Sequence, residues 1–142
     1  MSEGSNRTGR CLCGAVKFEA SNVSKSLGAC HCSMCRHWTG GPFLAVDCGT
    51  EVKFTGEANI TVFSSSDWAD RGFCKKCGSN LFYRLKGIEQ YQIPPGLFDD
   101  DRGLEFNHQV FVDERPDYYE FANKTSDMTG PEVYAKYAPP ND

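Results

Sequence analysis

The chain has 142 residues and a formal charge of −4, from 15 Lys plus Arg against 19 Asp plus Glu. That length suits one domain burying roughly two-thirds of its unfolded surface in a single core, and the acidic balance offers no general attraction to phosphate backbones, so nucleic acid is not an expected partner. The longest uncharged stretch is ten residues, short of the roughly 18 a membrane-spanning helix needs, and the opening MSEGSNRTGR is polar rather than signal-like, so the expectation is a cytoplasmic protein with no membrane partner.

In chain order, residues 1–8 read as a flexible N-terminus, residues 9–124 as the folded body and residues 125–142 as a polar, Pro-containing tail whose two tyrosines can pack on the body. Within the body, Cys11-Leu-Cys13-Gly14 precedes Val16–Ala20, which alternates apolar and polar as a strand does. Cys30-His-Cys32-Ser-Met-Cys35 follows, where Ser33 is placed to cap one short turn over Met34–Trp38. Turn chemistry at Gly40-Gly41-Pro42 and Cys48-Gly49 leads to strands over Val52–Phe54 and Ile60–Phe63. Cys74-Lys-Lys-Cys77-Gly78 then introduces Leu81–Tyr83, and after turns at Pro94–Gly96 and Asp99–Gly103 the run Val110–Val112 is again β-prone. No segment of 11 residues or more carries a 3.6-residue apolar repeat, so the expected fold class is all-β.

The eight cysteines carry the chemistry. A reducing compartment makes a disulfide framework the lesser use for them, and burial as apolar side chains suits scattered cysteines rather than three tight groups. A structural zinc site takes four tetrahedral ligands, commonly two from each of two short knuckles. Cys11 and Cys13 form one knuckle and Cys74 and Cys77 the other, each followed by a glycine and each leading into a strand, so the four would staple the start of one strand to the start of another. Cys30, Cys32 and Cys35 remain as a three-thiolate set, which leaves a fourth metal position for water or substrate, as in catalytic zinc sites. The protein groups that could close it are Cys48, His31, His37 and His108; His31, between two ligands in an extended loop, points away from them.

Two zinc ions, one bound by four cysteines and one by three, would leave an excess negative charge that Arg10, Arg36, Arg71, Lys75 and Lys76 stand near in sequence. Lys75 and Lys76 read as the solvated tip of a knuckle, whereas Arg36 and Arg71 are placed to meet an anionic substrate. Trp38 and Trp68 read as core before pocket wall, Ser64–Ser66 as strand-end hydroxyls or carboxylate donors, and Gly96 and Asp99 as turn residues.

The stretches GRCLCGAVKFEA, CHCSMCRHWTG, SSSDWADRGFCKKCGSNLFYR and PPGLFDDD, with HQVFVDERPDYYEF closing the series, resemble the glutathione-dependent formaldehyde-activating enzyme and centromere protein V family over Gly9–Phe121, as a short member. The resemblance implies several small, coiled, twisted antiparallel sheets around a zinc-stapled centre, with the same four-and-three division of cysteines. It implies carbon–sulfur lyase chemistry on a thiol such as glutathione and a small aldehyde, formaldehyde in the family's named reaction, with Cys30, Cys32, Cys35 and Arg36 at the reacting site. The alternative is a non-catalytic zinc-stapled binding module of the centromere protein V type. A methionine sulfoxide reductase of similar fold would need a redox cysteine after Cys77, and none follows. The thiol chemistry suits the ligand set. A free thiol is only a few per cent ionised at neutral pH and zinc ligation deprotonates it, a gain of roughly thirtyfold or about 2 kcal/mol, whereas an ion ringed by three thiolates is a weaker Lewis acid toward water.

Overall fold

The computed structural model describes residues 4–137. Along the chain run β1 (Ser5–Arg10), β2 (Lys17–Val23), β3 (Ser26–Cys30), α1 (Ser33–Thr39), β4 (Phe43–Asp47), β5 (Val52–Thr55), β6 (Ile60–Ser64), β7 (Ala69–Cys74), β8 (Asn80–Leu85), β9 (Gln90–Ile93), β10 (Glu105–Val110), β11 (Ser126–Met128) and α2 (Gly130–Tyr137). Strands dominate, as expected, and both helices are short. Where the length suggests a single core, the described residues gather into two compact units, one from residues 4–25 and 45–104, the other from residues 26–44 and 105–137. Among the described residues no helix is long and apolar enough to cross a membrane.

In the first unit, β1, β2 and β5 form an antiparallel sheet, and β9, β8, β7 and β6 pair antiparallel in that order beside the end of β4. Alternation places Phe18 and Ala20 of β2 in the core and turns Lys17 and Glu19 outward. Around Phe18 an aromatic cluster forms: Phe98 packs edge-on at 5.5 Å, Phe54 lies at 6.2 Å, and Phe54, Phe82 and Tyr91 stand within 5.1–5.6 Å of one another. Rings at such separations add about 0.5–1.5 kcal/mol per pair to their burial. Two glycines make the room. A Cβ on Gly9 would lie 2.4 Å from both the Phe18 ring and the Leu97 carbonyl, and one on Gly72 would lie 2.3 Å from the Phe82 ring. β1 takes up residues 5–8 of the expected flexible N-terminus, paired with β2; residues 1–3 lie outside the described residues.

The second unit departs from antiparallel pairing: β10 runs parallel to both β3 and β11. Parallel neighbours need a long crossover rather than a hairpin, and here the chain supplies one, since the whole stretch from α1 to Leu104 separates β3 from β10. The β-prone run Val110–Val112 is strand only at Val110. Phe111 adopts a left-handed backbone at φ 56° and starts a 3₁₀ turn over Val112–Glu114. Its ring then packs edge-on against Tyr134 at 5.6 Å, so the segment expected to be a polar tail contributes β11 and α2. The reason for α2 is a capping box: the Thr129 amide donates to Glu132 Oε1 at 2.7 Å and the Glu132 amide to Thr129 Oγ1 at 3.4 Å. Gly130 donates to Asp113 Oδ1 at 2.7 Å. The rest of the expected tail, residues 138–142, lies outside the described residues.

Because Phe82 is fully buried and cannot swing aside, Gly72→Ala is expected to cost about 1–3 kcal/mol by overpacking. Urea unfolding monitored by tyrosine and tryptophan fluorescence reads this as a lower midpoint, partly restored by adding Phe82→Leu. An unchanged midpoint for Gly72→Ala would show that the aromatic cluster yields at no cost.

Two candidate metal centres

All eight cysteines are free thiols, and seven of them converge in two clusters. In the first unit, Cys11, Cys13, Cys74 and Cys77 place their sulfurs within 4.8 Å of one another. Each pair sits in a tight turn at the end of a strand: Gly14 and Gly78, at φ 81° and 80°, let the chain double back, and their amides donate to the carbonyls of Cys11 at 3.1 Å and Cys74 at 2.7 Å. Ser79 joins the two turns. Its hydroxyl accepts from the Leu12 amide at 2.9 Å and lies 3.2 Å from Cys77 Sγ. The Val16 amide donates to Cys11 Sγ at 3.4 Å.

Cys11 and Cys13 Sγ are 3.7 Å apart, and Cys13 and Cys74 Sγ 3.8 Å apart, far beyond a disulfide. Four sulfurs bound tetrahedrally at about 2.3 Å from a zinc ion stand about 3.8 Å from each other, so the donor set and its spacing fit such an ion. The charge pattern agrees. Hydrogen bonding from the Ser79 hydroxyl and amide pulls the Cys77 thiol down to about 5. The Cys13 thiol is pushed up to about 11: the Ala15 amide lowers it, but desolvation and the neighbouring thiols outweigh that. Four crowded thiols cannot all ionise without a cation between them. Arg10 braces this centre through its guanidinium, which donates to the Cys11 and Leu12 carbonyls at 3.1 Å each, while Lys75 and Lys76 are exposed at the knuckle tip, as expected.

In the second unit, Cys30, Cys32 and Cys35 also lie within 4.8 Å of one another. Cys30 ends β3, Cys32 caps α1, and Cys35 is buried in the first helical turn. The cap is Cys32 rather than Ser33: its sulfur accepts from the Cys35 amide at 3.4 Å, the position a Ser or Asp oxygen ordinarily takes. Hydrogen bonds with the Cys30 and Cys35 thiols hold Cys32 down to about 2, whereas those with Cys32 and Cys35 drive Cys30 far above the ordinary thiol range.

Among the described residues this cluster has three members. His31 is fully buried, and its Nδ1 and Nε2 lie 2.7 Å from the Tyr119 hydroxyl and from Gln109 Oε1; burial lowers its pKa. His37 uses Nδ1 on the Ser33 carbonyl at 2.8 Å. His108 packs its ring against Gly28 and lies 2.8 Å from Asn107 Oδ1. Cys48 is in the first unit, buried, with its thiol toward the Val46 carbonyl at 3.5 Å and pushed up to about 12 by desolvation. Among the described residues none of the groups weighed as a fourth ligand joins the cluster.

Arg36 donates through Nε to the His31 carbonyl at 2.9 Å, bracing the cysteine loop from α1. Arg71 is buried in the first unit, where Nε donates to Ser65 Oγ at 3.2 Å and the guanidinium lies over Tyr83 at 5.1 Å. Trp38 packs on Phe43 at 5.3 Å, whereas Trp68 is exposed. Ser64 accepts from Lys86 at 2.6 Å and Ser66 from the Trp68 amide at 3.4 Å. Asp99 closes its turn by accepting from the Thr8 hydroxyl at 2.8 Å, and Gly96 lies in the 3₁₀ turn Pro95–Leu97. Sequence reading passed over Ser79, although a hydroxyl two positions after a knuckle cysteine is a signal for a donor to sulfur.

The sequence profile of the glutathione-dependent formaldehyde-activating enzyme family matches residues 6–114. A protein named as an uncharacterized lyase of Schizosaccharomyces pombe is 39% identical over 126 residues, covering 88% of this chain and 92% of its own. A putative glutathione-dependent formaldehyde-activating enzyme of Halomonas elongata is 26% identical over 137 residues, covering 84% of this chain and 83% of its own. Among solved structures, a Rhodobacter sphaeroides protein shares the fold at a TM-score of 0.56 with 24% identity, over 65% of this chain and 87% of that one. A profile match spanning most of the chain, joined to a relative alike over nearly its whole length, places this protein in the glutathione-dependent formaldehyde-activating enzyme family.

Proposed function

We propose that this protein is a zinc-dependent enzyme of the carbon–sulfur lyase type, acting on the adduct of a small aldehyde with a thiol such as glutathione. The observation that carries this reading is the inequality of the two clusters: four sulfurs in one, three in the other, with no fourth ligand among the described residues. Support comes from the family and from the names of its relatives, one a lyase and one a putative formaldehyde-activating enzyme. Cys11, Cys13, Cys74 and Cys77 hold the structural ion, and Cys30, Cys32 and Cys35 the reacting one.

Cys30, Cys32 and Cys35 would hold a zinc ion, and the chemistry it would supply there is to favour the thiolate form of a thiol substrate. The remaining roles belong to the chain. With an incoming thiolate the three-cysteine cluster would carry excess negative charge, which Arg36 on α1 would offset. In the reaction the thiolate sulfur bonds to the aldehyde carbon, the carbonyl π pair moves to oxygen, and the proton given up by the thiol returns to that oxygen. The reverse breaks the same carbon–sulfur bond, as a lyase does. Closure of the cysteine loop by the Cys32 cap and the Arg36 brace holds the sulfurs in place, so positioning supplies much of the acceleration that a weakly basic thiolate lacks.

Metal analysis of the purified chain is expected to give up to two zinc ions, one retained against a chelator and one more labile. Cys74→Ser should lose much of the roughly 10 kcal/mol or more that a structural site contributes and fail to fold, whereas Cys32→Ser should remain folded and lose thiol–aldehyde turnover. Equal melting losses from both would mean that both sites are staples.

Thiol binding should release a proton. Below the thiol's own pKa, about 8.5 for a cysteine-type thiol, apparent affinity should rise about tenfold per pH unit and then level off, because only the thiolate is bound. Calorimetry in two buffers of different ionisation enthalpy measures the proton. A cobalt-substituted protein whose spectrum no thiol perturbs would instead favour a non-catalytic zinc-stapled module.

A further inference from the structure

We infer that His31 is the positioning residue of the three-cysteine centre, fixed by a directed hydrogen-bond chain that begins at Tyr119 and ends on the C-terminal segment at Asp127. The inference rests on the reading of Cys30, Cys32 and Cys35 as a metal site. His31 has four polar groups, and all four are held: its amide donates to the Val110 carbonyl at 3.2 Å, its carbonyl accepts from Arg36 Nε at 2.9 Å, and both ring nitrogens have partners.

Gln109 Oε1 can only accept, so Nε2 of the His31 ring carries the proton and Nδ1 accepts from the Tyr119 hydroxyl. The Gln109 amide nitrogen then donates to Thr125 Oγ1 at 2.8 Å, and the Thr125 hydroxyl donates to Asp127. Every donor meets an acceptor, and the chain terminates on a carboxylate. Loss of Tyr119 or of Thr125 leaves a polar atom of the buried His31 or Gln109 unpaired, which costs more than the bond itself contributed.

The effect reaches the sulfurs through the backbone. Cys30 is the last residue of β3 and Cys32 is extended at φ −65° and ψ 158°, so successive side chains alternate. The ring of His31 faces one way into the interior, and its two neighbours face the other way with their sulfurs in the cluster. One anchored residue thereby sets the spacing of two ligands, and the segment after Thr125 takes part in holding a centre nearly one hundred positions earlier in the chain.

The test uses the full-length protein, its zinc challenged with a chromophoric chelator, and its cobalt derivative followed by ligand-field and sulfur-to-metal absorption. Tyr119→Phe and Thr125→Val should weaken the labile site about tenfold, within the range for loss of an outer hydrogen bond, and shift its cobalt bands. Affinity at the four-cysteine site should stay unchanged, and Thr125→Ser should behave as the wild type. Equal affinities and spectra in all variants, or parallel weakening of both sites, would overturn the positioning role while leaving the metal site standing. A wild-type chain that takes no second metal would overturn both.

Discussion

Sulfur crowding is the constraint on which both centres turn. Seven thiols packed into two clusters of less than 5 Å face a dilemma: ionised together they repel, and protonated together they are poor ligands with weak hydrogen bonds. The opposed shifts of Cys30 and Cys32, and of Cys13 and Cys77, express the dilemma within each cluster. A divalent cation removes it, since it lets every sulfur ionise and face the same point. The chain prepares for this with amide and hydroxyl donors aimed at sulfur.

The two centres are built differently because the local structure differs. The four-cysteine set comes from two turns at strand ends, each closed by a left-handed glycine, and Ser79 ties one turn to the other. The three-cysteine set lies along a strand-to-helix transition, where extended backbone supplies two ligands and the first helical turn the third. That transition gives Cys32 two places at once, as helix cap and as a member of the sulfur cluster. A serine in its place would cap the helix well and bind the metal poorly, so the helix alone does not account for the residue found there.

Sequence reached some of these features and missed others for physical reasons. The knuckles were legible because ligand spacing is local and the following glycines are required by the turns. β2, β5, β6 and β8 were legible from alternation or β-branched and aromatic content. β1 was not, since SNRTGR has no apolar residue and its pairing is bought by β2. The parallel pairing of β10 was hidden because it depends on which distant segment lies alongside. α2 was announced by Thr129 and Glu132, but the intervening Gly-Pro reads as a turn. The surroundings of His31 were out of reach, since its ring partners lie 78 and 88 residues away, although its orientation away from the ligands followed from alternation.

The spacing of ligands along the chain also divides the thermodynamic consequences of loading the two centres. Cys30, Cys32 and Cys35 fall within six residues, so the unfolded polypeptide already presents them to a metal as a flexible chelate. Cys11 and Cys74 are more than sixty residues apart, and their cluster exists only once the first unit has folded. A ligand stabilises a fold only to the extent that it binds the native state better than the unfolded one. A metal at the four-cysteine cluster would thus be linked more strongly to folding, whereas one at the three-cysteine cluster would be partly retained on unfolding and would stabilise less than its affinity implies. The same asymmetry means that during synthesis the three-cysteine cluster would present a chelate to a metal before the four-cysteine cluster had formed.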